Sequence, residues 1–290
     1  MKPLVILGPT GAGKSAFALE IAEKYGASIV CMDAMTVYRG MDIGTAKPTA
    51  AERARVPHYG LDLRNPDEPF TAMDFRELAD SVAGRKILCG GTTFYFRAWV
   101  QGIVPAPVGD PQLRAELEKL EDPWIELQKV DPVLAARLHP NDRVRILRGL
   151  EVFQIGGRPL SELHAEDPKQ RRDAEVVWVD REDLYAAIDA RVLRMMEAGY
   201  LAEVEALRAA GYGPQHKPMQ SLGYKHLSAF LDGSIEIAEA VRRTQTESRN
   251  FARKQRSFLR SWGLQSGGDP WAAAARVFAD DDERTLVDTA

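Results

Sequence analysis

The sequence predicts an α/β protein. A P-loop parallel sheet core is flanked by helices, interrupted by an all-helical insert and followed by a long basic C-terminal helix. Three observations predict it. Residues 8–15 form a complete G-x-x-x-x-G-K-S loop between an apolar run and a helical pattern. Apolar runs at 4–7, 28–32, 86–89 and 175–179 are continuous rather than alternating, as in strands covered on both faces. Helical patterns separate these runs, which makes the connections crossovers and the sheet parallel.

The loop reads Gly8, Pro9, Thr10, Gly11, Ala12, Gly13, Lys14, Ser15. Its glycines let backbone N–H groups converge on an oxyanion. The helix that starts at its end adds a positive dipole. Lys14 brings a mobile positive charge, and the Ser15 hydroxyl is of the type that holds Mg²⁺. The motif predicts phosphate or diphosphate binding without naming the ligand.

Further along, residues 74–83 read as a helix that Thr71 caps with Asp74 in a capping box. Pro105, Pro107, Gly109 and Pro111 mark a hinge. Short helices follow at 111–120, 123–129, 132–138 and 143–155, with Asn141 or Asp142 as the cap of the last and Gly156-Gly157 as its end. The expected organisation is a core of residues 1–108 and 170–264, an insert of residues 109–169, and a weakly structured tail of residues 265–290 with one weak helix and a frayed end. Helices at 184–197 and 200–210 precede a long one at about 234–262.

Composition narrows the class. The chain has 290 residues, 45% hydrophobic and 28% charged, as in an ordinary globular protein of about two domains. No apolar run approaches the roughly 20 residues of a membrane span. The short Met1-Lys2-Pro3 lead leaves no room for a signal peptide, so a cytoplasmic protein, expected to be monomeric, is the reading. Cys31 and Cys89 sit inside apolar runs, without zinc-ligand spacing, and read as reduced core thiols.

The net charge of −4 hides a local excess of positive charge. Arg242, Thr246, Arg249, Arg253, Arg256 and Arg260 recur at four-three-four-three-four spacing, which puts them on one helix face. Such a stripe tracks phosphates, the alternative being a solvated face.

In a parallel sheet, ligands sit beyond the carboxyl ends of the strands. Asp33 follows the second strand and faces that crevice, as a general base, a Mg²⁺ ligand or a cap. Gly90-Gly91-Thr92 ends the third, where glycines bring backbone close to a ligand and Thr92 offers a hydroxyl to a phosphate oxygen, or else form a tight turn.

The phrases GPTGAGKS, MDIGTAKP, GGTTFYF, DP-x-x-R at residues 110–114, HPND followed by R-x-x-R-x-L-E, and LGYK together resemble the tRNA dimethylallyltransferases, also called tRNA isopentenyltransferases. The resemblance runs from about residue 4 to residue 262. It implies transfer of a dimethylallyl group from dimethylallyl diphosphate to the exocyclic amine of adenosine 37, beside the tRNA anticodon, with Mg²⁺. In that chemistry the loop grips the diphosphate leaving group. Asp33 matches the family's general base, and Thr92 a threonine near the reacting centre.

For tRNA, and its anticodon stem-loop in particular, the resemblance points to Asp33, Ala34, Met35 and Thr36; to Thr92 and Arg114; and to Val144, Arg145, Ile146, Leu147 and Arg148. It points also to Met219, Gln220, Ser221, Leu222, Gly223 and Tyr224, and to Arg253, Lys254, Gln255, Arg256, Ser257, Phe258, Leu259 and Arg260. Arg145 and Arg148 read equally as surface partners of Asp142 and Glu151. One departure is Ala34, where the family usually has Ser; backbone and Thr36 contacts are expected to suffice. Phe94, Tyr95, Phe96 and Trp99 read as core or as part of a prenyl pocket, and Lys225 as a diphosphate contact or a surface lysine. The alternatives are a P-loop small-molecule kinase, which binds ATP but has no use for the basic helix, a prenyltransferase acting on free adenine nucleotide, and a non-catalytic RNA-binding module.

Overall fold

The computed structural model describes residues 2–166 and 171–278. Two compact units divide the chain: Met1–Val100 with Arg172–Ala290, and Gln101–Arg171.

The first unit holds β1 (Leu4–Leu7), α1 (Lys14–Tyr25), β2 (Ser28–Met32), α2 (Ala50–Arg55), β3 (His58–Tyr59), α3 (Ala72–Ser81), β4 (Lys86–Gly90) and α4 (Thr93–Gln101, its last residue belonging to the second unit). The second unit holds α5 (Pro111–Leu117), α6 (Pro123–Val130), α7 (Pro132–Ala135), α8 (Arg143–Gly156) and α9 (Leu160–Glu166). The chain then returns to the first unit with β5 (Glu175–Trp178), α10 (Leu184–Glu197), α11 (Tyr200–Ala209), a 3₁₀ turn (Lys217–Gln220), α12 (Tyr224–Leu231), α13 (Ile237–Ser261) and α14 (Pro270–Phe278).

All strands pair in parallel, in the order β3-β2-β4-β1-β5. The continuous apolar runs are buried on both faces, with Leu4, Val5, Ile6, Ile87 and Leu88 fully enclosed. Register decides what the sheet presents. Leu7 and Met32 both stand opposite Gly90, so β1, β2 and β4 end level. The loop after β1, Asp33 after β2 and Gly91-Thr92 after β4 therefore emerge along one edge.

Helix ends follow their residues. Thr71 and Asp74 form the expected capping box on α3. Asp142 caps α8, and Gly157, in the left-handed region, stops it. In the second unit, Leu117, Leu127, Leu134, Ile146, Leu147 and Leu150 make the core. The fully buried Asp131 accepts from Leu134 N and Ser161 N at 2.9 Å each, so that carboxylate is satisfied by two helix starts.

Two expectations are corrected. The helix expected in the tail forms, but it is not weak, and residues 266–278 are part of the packed core. Gly267 and Gly268 donate to Trp178 O, and α14 buries Ala273, Ala274, Val277 and Phe278 in the core beside β1, β5 and α1. Its small side chains allow close packing on a sheet. The rest of that tail, residues 279–290, and the insert's expected boundary at 169/170 lie outside the described residues. Of the aromatic group after Gly91, Tyr95, Phe96 and Trp99 are core, whereas Phe94 is 52% exposed.

Candidate functional site

The loop between β1 and α1 turns on Gly8, whose φ of +154° and position leave no room for a side chain. A Cβ there would lie 2.1 Å from Val179 O. α1 begins at Lys14, with Gly13 as its cap, so the first helix N–H groups face the loop. Lys14 Nζ donates to Pro9 O at 2.7 Å. Burial pushes the Lys14 ammonium down to about 8, partly opposed by Cys89 and by the carboxylates of Asp33 and Asp180.

A cavity of about 890 Å³ opens beside this loop. Gly11, Gly13, Lys14 and Ser15 form one side, and Asp42, Ile43, Ala46 and Lys47 of MDIGTAKP form another. Its cations are Lys14, Lys47, Arg53, Arg181, Arg191 and Arg194, against the two acids Asp42 and Asp62. Several of these charges are already matched. Lys47, with its side chain wholly buried, donates to Tyr38 O, Asp42 and Asp62 at 2.7, 2.5 and 2.7 Å. Arg53 pairs with Asp62, and Arg181 with Asp183. Burial would raise the Asp62 carboxyl, but bonds from Lys47 and Arg53 hold it below its ordinary value. Lys14, Arg191 and Arg194 have no ion-paired carboxylate among the described residues and give the cavity its net attraction for an anion.

The MDIGTAKP wall is fastened from α11. Glu203 Oε2 accepts from Asp42 N and Ile43 N, and Oε1 from Gly44 N and the Tyr224 hydroxyl, at 2.8, 2.6, 3.1 and 2.6 Å. Gly44 and Gly223 are the residues whose backbones abut Tyr200. Cβ atoms there would lie 2.2 and 2.3 Å from that ring and its hydroxyl. The distant phrases MDIGTAKP and LGYK are thus two sides of one packing unit.

Thr10 is held twice, by Arg191 Nη1 on its hydroxyl at 3.0 Å and by Gln255 Oε1 on its N–H at 2.8 Å. Asp33 and Thr92 lie on the same sheet edge, outside the cavity lining. Asp33 Oδ1 accepts from Met35 N at 2.8 Å, and Thr92 Oγ1 accepts from Ala34 N at 3.1 Å. The backbone of residue 34 thus ties β2 to β4 without a hydroxyl at that position. Thr36, buried, bonds to Gly60 O and to Asp33 O.

The residues with an expected tRNA role divide sharply. Ile146, Leu147, Met219, Tyr224, Gln255 and Leu259 are buried and present no side-chain surface. Arg256 does not face outward with the rest of its stripe; it grips Asp180 through Nε and Nη2 at 2.9 and 2.7 Å. Arg249 is paired with Asp189, Arg242 with Glu239, Arg145 with Asp142, Arg148 with Glu151 and Arg114 with Glu118. Arg253, Lys254, Ser257 and Arg260 are exposed on α13, as are Val144 in the second unit and Gln220 in the first; Ser221, Leu222 and Phe258 are partly exposed and Gly223 is buried. Lys225 pairs with Glu247 at 2.7 Å and does not line the cavity. Arg191, Arg194 and Glu203 carry no mark in the sequence. Each is one of several charges on its helix, alongside Asp189 and Glu197 on α10 or Glu205 and Arg208 on α11, and nothing in the spacing sets it apart from a solvated charge.

Among the described residues no three His, Cys, Asp or Glu side chains cluster as a metal site. Ser15 lines the cavity at the helix start. That donor set suits Mg²⁺, which takes few protein ligands and leans on phosphate oxygens and water.

A doubly covered parallel sheet, with a glycine-rich loop opening on a cation-lined cavity at its carboxyl edge, defines a class of α/β proteins built to hold a phosphorylated ligand. The IPP transferase family model matches residues 36–262, and that of isopentenyl transferases matches residues 1–66. A tRNA dimethylallyltransferase of Geobacter metallireducens is 46% identical over 274 residues, covering 89% of each chain. The tRNA dimethylallyltransferase 1 of Citrifermentans bemidjiense is 44% identical over 272 residues, again 89% of each. A solved structure of a eukaryotic dimethylallyltransferase acting on tRNA superposes with a TM-score of 0.77 at 25% identity, over 89% of this chain and 69% of that one. The chain belongs to the IPP transferase family.

Proposed function

We propose that this chain transfers the dimethylallyl group of dimethylallyl diphosphate to the exocyclic amine of adenosine 37 in a tRNA anticodon stem-loop, releasing diphosphate. The observation that carries the proposal is the cavity at the loop, where Lys14, Arg191 and Arg194 are left to meet an anion. The amine attacks the first prenyl carbon as the carbon–oxygen bond to diphosphate breaks. The loop N–H groups, Lys14 and Arg191 stabilise charge growing on the leaving oxygens. Asp33, close enough to influence both cations electrostatically, accepts the amine proton. Ser15, together with the diphosphate, would hold Mg²⁺, which would supply further charge neutralisation. Thr92 holds the residue 34 peptide, and so the place of Asp33, through the bond from Ala34 N.

The exposed Arg253, Lys254 and Arg260 of α13 meet tRNA phosphates, and the second unit contributes Val144 and Arg145. The adenosine is flipped from its loop to reach the donor. The protein acts as a cytoplasmic monomer; among the described residues, no helix is long and apolar enough to cross a membrane.

The test is acceptor choice. Labelled dimethylallyl diphosphate and Mg²⁺ are supplied with tRNA, with AMP, or alone. Label in tRNA only is expected. Label in AMP would support prenylation of free nucleotide, and steady ATP turnover by the pure protein a kinase.

A further inference from the structure

Gln255 is a buried amide, 4% exposed, on the helix that bears the basic side chains. Its two ends reach two different strand ends. Oε1 accepts from Thr10 N in the glycine-rich loop, and Nε2 donates to Gly91 O after β4, each at 2.8 Å. The fit is tight, since a Cβ at Gly91 would lie 2.3 Å from Nε2. The next residue, Arg256, is anchored on Asp180, just beyond β5. Residues 253, 254 and 260 of the same helix face solvent. One rigid element therefore has exposed cations on one side and, on the other, an amide that holds a peptide of the donor loop.

We infer that Gln255 is a positioning residue that couples RNA binding on the outer face of α13 to the shape of the donor loop. The inference rests on the tRNA reading proposed above. A helix pinned by RNA fixes the Gln255 amide, the amide fixes the Thr10 peptide, and a pre-ordered loop binds diphosphate more tightly. Linkage makes the effect reciprocal, so diphosphate must tighten RNA binding by the same factor.

Inorganic diphosphate with Mg²⁺ is the probe, titrated calorimetrically with and without saturating unmodified tRNA, a pair that does not react. Wild-type protein is expected to bind diphosphate at least about fivefold more tightly with tRNA present, the lower end of ordinary coupling. Gln255→Met keeps the length but loses both bonds. It should bring that ratio to within about twofold of one, and leave affinity for tRNA alone within about twofold of wild type because the outer cations are untouched. Gln255→Glu, nearly isosteric, still accepts from Thr10 N but opposes Gly91 O. It should lower the ratio too, and also lower the melting temperature, because a buried carboxylate then faces a carbonyl oxygen. A wild-type ratio near one, or an undiminished ratio in the two variants, would overturn the inference. Failure of the tRNA reading looks different: diphosphate binds normally, but no tRNA is bound or labelled.

Discussion

The Tyr224 hydroxyl donates to Glu203 Oε1 at 2.6 Å, joining the LGYK segment to the carboxylate that caps three successive N–H groups of MDIGTAKP. The loop so held includes Ala46 at a φ of +50°, a left-handed conformation that a non-glycine residue keeps only when its surroundings impose it. Glu203→Ala strips acceptors from several donors at once. A loss of about 2–3 kcal/mol in denaturant unfolding is expected, with a raised KM for the prenyl donor because this loop walls the cavity. Unchanged stability and KM would mean that the wall holds itself.

On the proposed function, Lys14 is the pH-sensitive group of the donor site. Its ammonium is at about 8 in the free protein, and bound diphosphate favours the charged form and raises it. Binding therefore selects the protonated lysine. Affinity for the donor should be full between about pH 7, where phosphate ionisation near about 6 is largely complete, and about pH 8, and should fall as pH rises through it. Proton uptake on binding, read by calorimetry in two buffers at pH 8.5, should vanish in Lys14→Met.

Asp33→Ala should slow single-turnover transfer by about 10²–10⁴-fold, the usual worth of a positioned base, while leaving tRNA affinity close to wild type. Asp33→Asn keeps the acceptor for Met35 N and should be equally slow. Recovery of the rate in Asp33→Asn would make the residue a turn cap and nothing more.

The basic helix should act through its outward cations alone. Arg253→Gln, Lys254→Gln and Arg260→Gln together should flatten log tRNA affinity against log salt by roughly two units, at about 0.7–0.9 for each phosphate no longer neutralised. Arg256→Gln should leave the slope nearly unchanged and instead lower stability, since it abandons the Asp180 carboxylate. Equal slopes for the triple variant and wild type would place the RNA surface elsewhere.

The sheet was legible because its strands are continuous apolar runs ended by recognisable ligand-binding phrases. His58–Tyr59 was not: two residues carry no period, and β3 exists only because Ile29 and Val30 offer a paired edge. The helical stripe from Arg242 to Arg260 was legible as a face, but its partners were not. Asp180 and Asp189 lie 76 and 60 residues before the arginines they bind, and only the fold brings them there. The loop motif located the cation-lined cavity. Arg191 and Glu203, which complete it, sit in ordinary amphipathic helices and look like any other solvated charge.

Transfer to adenosine 37 is decided by where the label goes. The full chain, Mg²⁺ and labelled dimethylallyl diphosphate are incubated with a tRNA carrying adenosine at position 37 and with the same tRNA carrying guanosine there, and each product is digested to nucleosides. Label in isopentenyladenosine from the first tRNA, and none from the second, is expected. Equal labelling of both, or label recovered only as free prenyl alcohol, would contradict it.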